Sequence, residues 1–225
     1  MSIQQQLQEL LIATEQQFNR SRIKAAAEQA GKKWMYNIAA TRITPQNPLI
    51  LGFNWGAEEK ERYTPVLEDK TFLNSLNAND LGSMKRLRRH LVQYLHMDDD
   101  AMENVGQSNY CFFRSKSDGE IVKSDLELCR PLFEKLLEIA RPSMILSFSN
   151  RLRDYLLGEN RVSDVMRQPV PTENPSKRNY RACKGFLEVH GSTIPIYFLP
   201  HPNYRLSGVA RDAAWEFCFG RRAQS

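Results

Sequence analysis

Three apolar runs punctuate the chain, each closed by a polar or glycine-bearing turn. They are Pro48-Leu49-Ile50-Leu51 leading into Gly52-Phe53-Asn54-Trp55-Gly56-Ala57, Ser143 to Ser149 around Met144, Ile145, Leu146 and Phe148, and Ile194 to Leu199 leading into Pro200-His201-Pro202-Asn203. A continuous apolar run between turn signals predicts a buried strand, and the lack of alternation points to a parallel one covered on both faces. Open α/β sheets place their ligands beyond the carboxyl ends of the strands. The turns should therefore share one edge, with Asn54 and its neighbours lining a pocket there.

Between these runs the spacing changes to that of helices. Leu7, Leu10, Leu11, Phe18 and Ile23, with no Pro or Gly before Gly31, predict one long or two consecutive amphipathic helices within residues 3–30. Residues 81–96 carry Met84, Leu87, Leu91 and Leu95 on one face and Lys85, Arg86, Arg88 and Arg89 around the rest. Asp125 to Ala140 and Asn150 to Leu157 flank the Met144–Phe148 strand as helices, a βα crossover pattern. Gly158 to Tyr180, broken by Pro169, Pro171 and Pro175, reads as a loop or mobile excursion. Ala182–His190 and Ser192–Leu199 read as strands around Gly191, and Val209–Phe219 as a C-terminal helix.

With 225 residues and 41% hydrophobic content, one core and a single domain over 1–225 are the simplest expectation, with residues 1–40 as an N-terminal helical region. No stretch has the length of a membrane span, and the glutamine-rich start lacks a signal peptide's apolar centre. An intracellular, membrane-free protein is expected. Cys111, Cys129, Cys183 and Cys218 have no C-x-x-C spacing and read as reduced core thiols. A net charge of +5 permits a polyanionic partner without requiring one.

The basic face of residues 81–96 could grip phosphates, though a solvated surface is the commoner explanation. His90, His96 and Asp98 to Asp100 do not make a metal site, because residues six apart do not share a helical face and an aspartate run at a helix end is usually a cap. Asn109, in Gly106-Gln107-Ser108-Asn109-Tyr110-Cys111, sits among apolar neighbours, so its amide must be satisfied either by backbone or by a ligand. His201, held between prolines, has restricted backbone and a preset direction, which suits catalysis; a structural histidine is the alternative.

Taken in order, these turns resemble the motifs of the uracil-DNA glycosylase superfamily, in its single-strand-selective monofunctional branch. Gly52-Phe53-Asn54-Trp55-Gly56 is similar to G-x-N-P-G, Ser108-Asn109-Tyr110-Cys111 to H-N-Y-C, and His201-Pro202-Asn203-Tyr204-Arg205 to H-P-S-P-R. The similarity spans residues 48–219. Trp55 stands where the family has proline, and Asn203 and Tyr204 where it has serine and proline.

The resemblance implies a three-layer α/β/α sandwich with a short, mostly parallel central sheet. It implies hydrolysis of the N-glycosidic bond of uracil or another deaminated or damaged base in DNA, as in base excision repair, after the nucleotide is flipped out of the stack. DNA is the implied partner, single- or double-stranded, acting on a monomer that is cytoplasmic or nucleoid-associated. No metal or other cofactor is called for. Asn54 would orient the attacking water, Asn109 would read the base edge, and His201 would bond the carbonyl oxygen that gains charge as the base leaves. Phe53 and Tyr63 would complete base recognition, with Phe72 as another stacking candidate, while Asn203, Arg205 and Leu206 would form the DNA-binding wedge. Two competitors remain: a non-catalytic nucleic-acid or nucleobase-binding protein that keeps this fold, and an unrelated α/β protein. The second lacks a phosphate loop, a G-x-G-x-x-G fingerprint and a nucleophile elbow.

Overall fold

The computed structural model describes residues 1–32, 34–56, 65–78, 82–170, 180–204 and 206–220, without the side chain of Ser83. In chain order the elements are α1 (Ile3–Phe18), α2 (Arg22–Gln29), β1 (Leu49–Gly56), α3 (Phe72–Ala78), α4 (Gly82–Leu95), α5 (Asp99–Glu103), β2 (Gly106–Ser115), α6 (Lys123–Ala140), β3 (Ile145–Ser147), α7 (Asn150–Gly158), β4 (Val162–Val170), β5 (Tyr180–Val189), β6 (Ser192–Phe198) and α8 (Gly208–Phe219), with a short 3₁₀ turn at Asp118–Glu120.

The N-terminal apolar spacing resolves into two helices because Ser21 starts a new one. Its hydroxyl accepts from the Lys24 N–H, as Ser2 does from Gln5 at the start of α1. Leu7, Leu10, Leu11 and Phe18 then enter the core that α1 shares with α6, Phe18 reaching Phe113 of β2, and each buried side chain contributes about 1.5–3 kcal/mol by the usual area scale.

The sheet has six strands in the order β2-β1-β3-β6-β5-β4. β2, β1, β3 and β6 are parallel, and β5 and β4 extend the sheet antiparallel. Leu49, Leu51 and Phe53 of β1 point into a core shared with α1, α2, α6 and α7. Ile50 points into a second core with α3, α4, α5 and α8. Burial on both faces explains the unalternated run, and the result is a mostly parallel α/β sheet between two helical layers.

Two expectations need correction. The Gly52–Gly56 segment is not a turn: β1 continues to Gly56, with a register irregularity against β2 between Asn54 and Trp55. The interval 158–180 is not wholly a loop, since Val162–Val170 is a strand; residues 171–179 lie outside the described residues. Pro169 is tolerated there because β4 pairs only with β5 and so occupies the sheet edge, where a missing N–H breaks no second ladder. The β5–β6 turn is a two-residue loop with both His190 and Gly191 at positive φ, as a tight hairpin requires.

From β1 the chain crosses to β2 on one side, and from β2 it returns past β1 to β3 on the other. The strand order reverses there. In open α/β sheets such a reversal is where a ligand crevice is expected, here beyond the carboxyl ends of β1 and β3, and β6 ends beside that position.

Candidate functional site

Gly52, Asn54, Asn109 and His201 are carried to this edge by parallel strands. Gly52 of β1 lies opposite Asn109 of β2, and Asn54 opposite Cys111. The Asn109 side chain folds directly over Gly52, where a Cβ would come within 1.9 Å of its Oδ1. Only glycine leaves room for that approach. Asn109 is 7% exposed, yet among the described residues its amide has no hydrogen-bond partner. The residue is largely covered, but its amide atoms still reach solvent and are free to pair with a ligand.

Asn54 is half-buried, and its orientation is fixed by a relay of hydrogen bonds. Its Nδ2 donates to the Trp55 carbonyl at 3.1 Å and to Ser115 Oγ at 2.8 Å, and Ser115 Oγ in turn donates to the Ser117 carbonyl at 2.6 Å. A carbonyl cannot donate, so the nitrogen must face Trp55 O and the Oδ1 is left as an acceptor. That atom can orient a water. Trp55 itself is buried and donates its indole N–H to Asn37 O at 2.5 Å, which ties the ring to the segment covering the outer edge of β2.

His201 follows β6 on an exposed turn. Its Nδ1 accepts from the Asn203 N–H at 3.1 Å, which leaves the proton on Nε2 and makes that nitrogen a donor. The ring's pKa is lowered from the ordinary histidine value, first by partial loss of hydration on its protein side and second by the Arg211 charge. Both causes favour the neutral ring. A neutral Nε2–H donor suits an oxygen that gains charge during reaction.

The turn is held from below by two arginines that sequence reading missed. Arg211 of α8, buried to 5% exposure, donates to His201 O at 3.0 Å and Tyr204 O at 2.7 Å, and Arg86 of α4 donates to Pro202 O at 3.2 Å. Desolvation first, then the Arg86 and Arg89 charges, push the Arg211 pKa down. A gap of about 10 Å³, room for about one water, lies between these arginines, Phe148, Pro200 and Trp215. Nothing in the local sequence distinguishes Arg211 from a surface residue of an amphipathic helix. The signal was the pairing of a cation with a proline-bounded turn, visible only in three dimensions.

The remaining predicted residues divide. Phe53 packs in the core at 5% exposure with the Arg151 guanidinium 4.5 Å from its ring, so at the crevice it contributes backbone. Phe72 is a core residue at 1%. Asn203 is exposed and Leu206 half-buried. Tyr63 and Arg205 lie outside the described residues. His90 is buried, with Nδ1 2.6 Å from Arg86 O and Nε2 3.1 Å from Asp212, and stacks on Trp215. Among the described residues no group of three or more His, Cys, Asp or Glu could hold a metal ion. The four cysteines are buried and free, and no described helix is long and apolar enough to cross a membrane.

Cavities of about 420 and 580 Å³ open at the opposite edge, around the β5–β6 turn. Their polar groups satisfy one another: Glu134 pairs with Arg130, Arg161 and His190. Size alone would favour them, but the unpartnered amide and the oriented donors lie at the carboxyl edge, and chemistry outweighs volume in locating a site. In comparisons with known proteins, no family model matches this chain and no curated protein matches it either.

Proposed function

We propose that the protein is a DNA glycosylase of the uracil-DNA glycosylase type, hydrolysing the N-glycosidic bond of a deaminated or damaged base. The observation that carries this reading is the largely covered Asn109 amide, open to a ligand and seated on Gly52 at the sheet's reversal point. A side-chain amide presents a donor and an acceptor side by side, matching the carbonyl and imide N–H of a uracil-like edge. Cytosine offers a different order and would leave buried groups unpaired, which is the stronger means of discrimination.

The neighbouring groups suit the other parts of the reaction. Strands in a sheet are about 5 Å apart, so β1 and β6, separated by β3, lie about 10 Å apart, a width that one heterocycle and its hydrogen bonds can fill. His201 Nε2–H would bond the base oxygen that gains charge as the glycosidic bond breaks. Asn54 Oδ1 would orient water toward the sugar carbon. An amide is a weak base, but an oxocarbenium-like centre needs an oriented water more than a strongly activated one. The protein therefore acts by positioning and charge stabilisation, with the target nucleotide extruded from the stack.

The test is an abasic-site assay on labelled oligonucleotides containing uracil, hypoxanthine, xanthine or hydroxymethyluracil, single-stranded and duplex. Base release suppressed by Asn54→Ala and His201→Ala supports the reading. A folded protein that releases none of them refutes it and favours a nucleic-acid or nucleobase-binding role.

A further inference from the structure

A second cleft at the same edge of the sheet is unused by this chemistry. It has a volume of about 210 Å³ and is bounded by Arg153, Asp154 and Leu157 of α7, Arg167 of β4, and Arg181 and Cys183 of β5. Arg167 lies opposite Cys183 in the ladder, and Arg181 is two residues along from Cys183, so all three project to the α7 face.

The charges there do not balance. Arg153 pairs with Asp154 at 2.8 Å and donates to Asn150 Oδ1 and Arg181 O at 3.1 and 3.0 Å. Arg167 and Arg181 are exposed, and among the described residues neither has a carboxylate partner. Among the described residues, three guanidinium groups therefore share one cleft with a single carboxylate. Their mutual repulsion is relieved by an anion, and the planar fork of arginine matches the oxygens of phosphate.

The cleft is also next to the candidate site. Cys183 pairs with Phe198, the last residue of β6, which places Arg181 beyond the strand end on the side of His201. Tyr180, adjacent to Arg181, meets the Tyr204 ring at 5.9 Å, and Tyr204 belongs to the His201 turn. The Arg153 guanidinium lies 5.7 Å from the other partner of that pair, Tyr180. The buried Tyr180 ring thus joins the His201 turn to the edge of the cleft, so a strand leaving the turn comes within reach of the arginines.

We propose that Arg153, Arg167 and Arg181 form a phosphate-binding subsite that holds the backbone of the nucleic-acid strand beside the extruded nucleotide. This deepens, and in its choice of strand rests on, the glycosylase reading. Binding there is independent of base identity, because phosphate contacts fix register and carry no sequence information.

The test uses the full-length chain and a fluorescein-labelled single-stranded oligonucleotide of ordinary bases, followed by anisotropy across a salt series. Arg167→Gln and Arg181→Gln should each weaken binding about three- to tenfold, and the double variant should flatten the slope of log K against log salt by about 0.7 for each phosphate the protein no longer neutralises. Both side chains are exposed, so thermal midpoints should stay put, and Arg→Lys at either position should recover part of the affinity. Unchanged affinity and slope in the double variant overturn the subsite. Protection by inorganic phosphate that needs these arginines, without any effect on oligonucleotide binding, overturns the backbone assignment in favour of a free anion. Base release by the wild type with unaltered binding by the variants sinks the subsite alone. Arginine-dependent binding without base release sinks the glycosylase reading and leaves the subsite standing.

Discussion

Replacing Gly52 by alanine separates folding from recognition. The added Cβ would lie 1.9 Å from Asn109 Oδ1, whereas ordinary contact begins near 3.4 Å, so the oxygen must retreat by 3.4 − 1.9 = 1.5 Å. The atom in the way ends a short, flexible side chain, and no other neighbour of that Cβ lies closer than the Asn109 Cγ at 3.1 Å. The fold should therefore survive with a thermal midpoint within about 4 °C of wild type, a change of about 1 kcal/mol for a chain of this size. Recognition should not survive. A misplacement of about 1 Å costs on the order of 100-fold, and kcat/KM for excision should fall by that factor, equivalent to about 2.7 kcal/mol. The assay is single-turnover base release beside a thermal melt. Wild-type activity in a folded Gly52→Ala protein would refute the claim that this glycine seats the amide.

Three further outcomes follow from the same geometry. His201 has a folded pKa below the ordinary 6.5, so the stability gained from its neutral ring is present above 6.5 and is lost as pH falls through the folded value. Protonating Nδ1 also breaks its bond from Asn203, so kcat/KM should decline on the acid side with an apparent pKa under 6.5; a profile that keeps this limb in His201→Asn contradicts the assignment. Arg211→Met removes two charge-assisted hydrogen bonds from beneath the turn and should lower stability by about 2 kcal/mol, or about 4–8 °C, with a larger loss in excision than Arg86→Met, which removes one; equal effects of the two would show that Arg211 is not the main support. All four cysteines are buried, and burial raises the pKa of Cys129 and Cys183 and pushes Cys218 up to about 12, so a thiol reagent should label none until denaturant is added, and rapid labelling of native protein would contradict the packing.

Most of the framework was legible because burial imposes pattern. The run at Leu49–Leu51 is apolar on both faces, since it lies between two cores, and the helices α4 and α6 keep their apolar spacing where one side meets the sheet. β4 was hidden for the converse reason. It is an edge strand with much of its length turned to solvent, so its composition is that of a loop, and Pro169 reinforces the impression. Of the candidate site, Asn54, Asn109 and His201 were singled out because amides and a histidine among apolar neighbours need an explanation, and the structure carries all three to one edge of the sheet. Arg86 and Arg211 could not. Arg86 meets its acceptor 116 positions away, and a lone arginine on a helix carries no mark of being buried. The seat on Gly52 was equally hidden, because it depends on the register of β1 against β2.

The most direct measurement is the single-turnover release of free base, detected by mass spectrometry, from a uracil-containing single strand by wild type and Asn109→Ala. The account predicts release by the wild type and a rate at least about 100-fold lower in the variant, at an unchanged thermal midpoint. Equal rates, or no release by folded wild type, would contradict it.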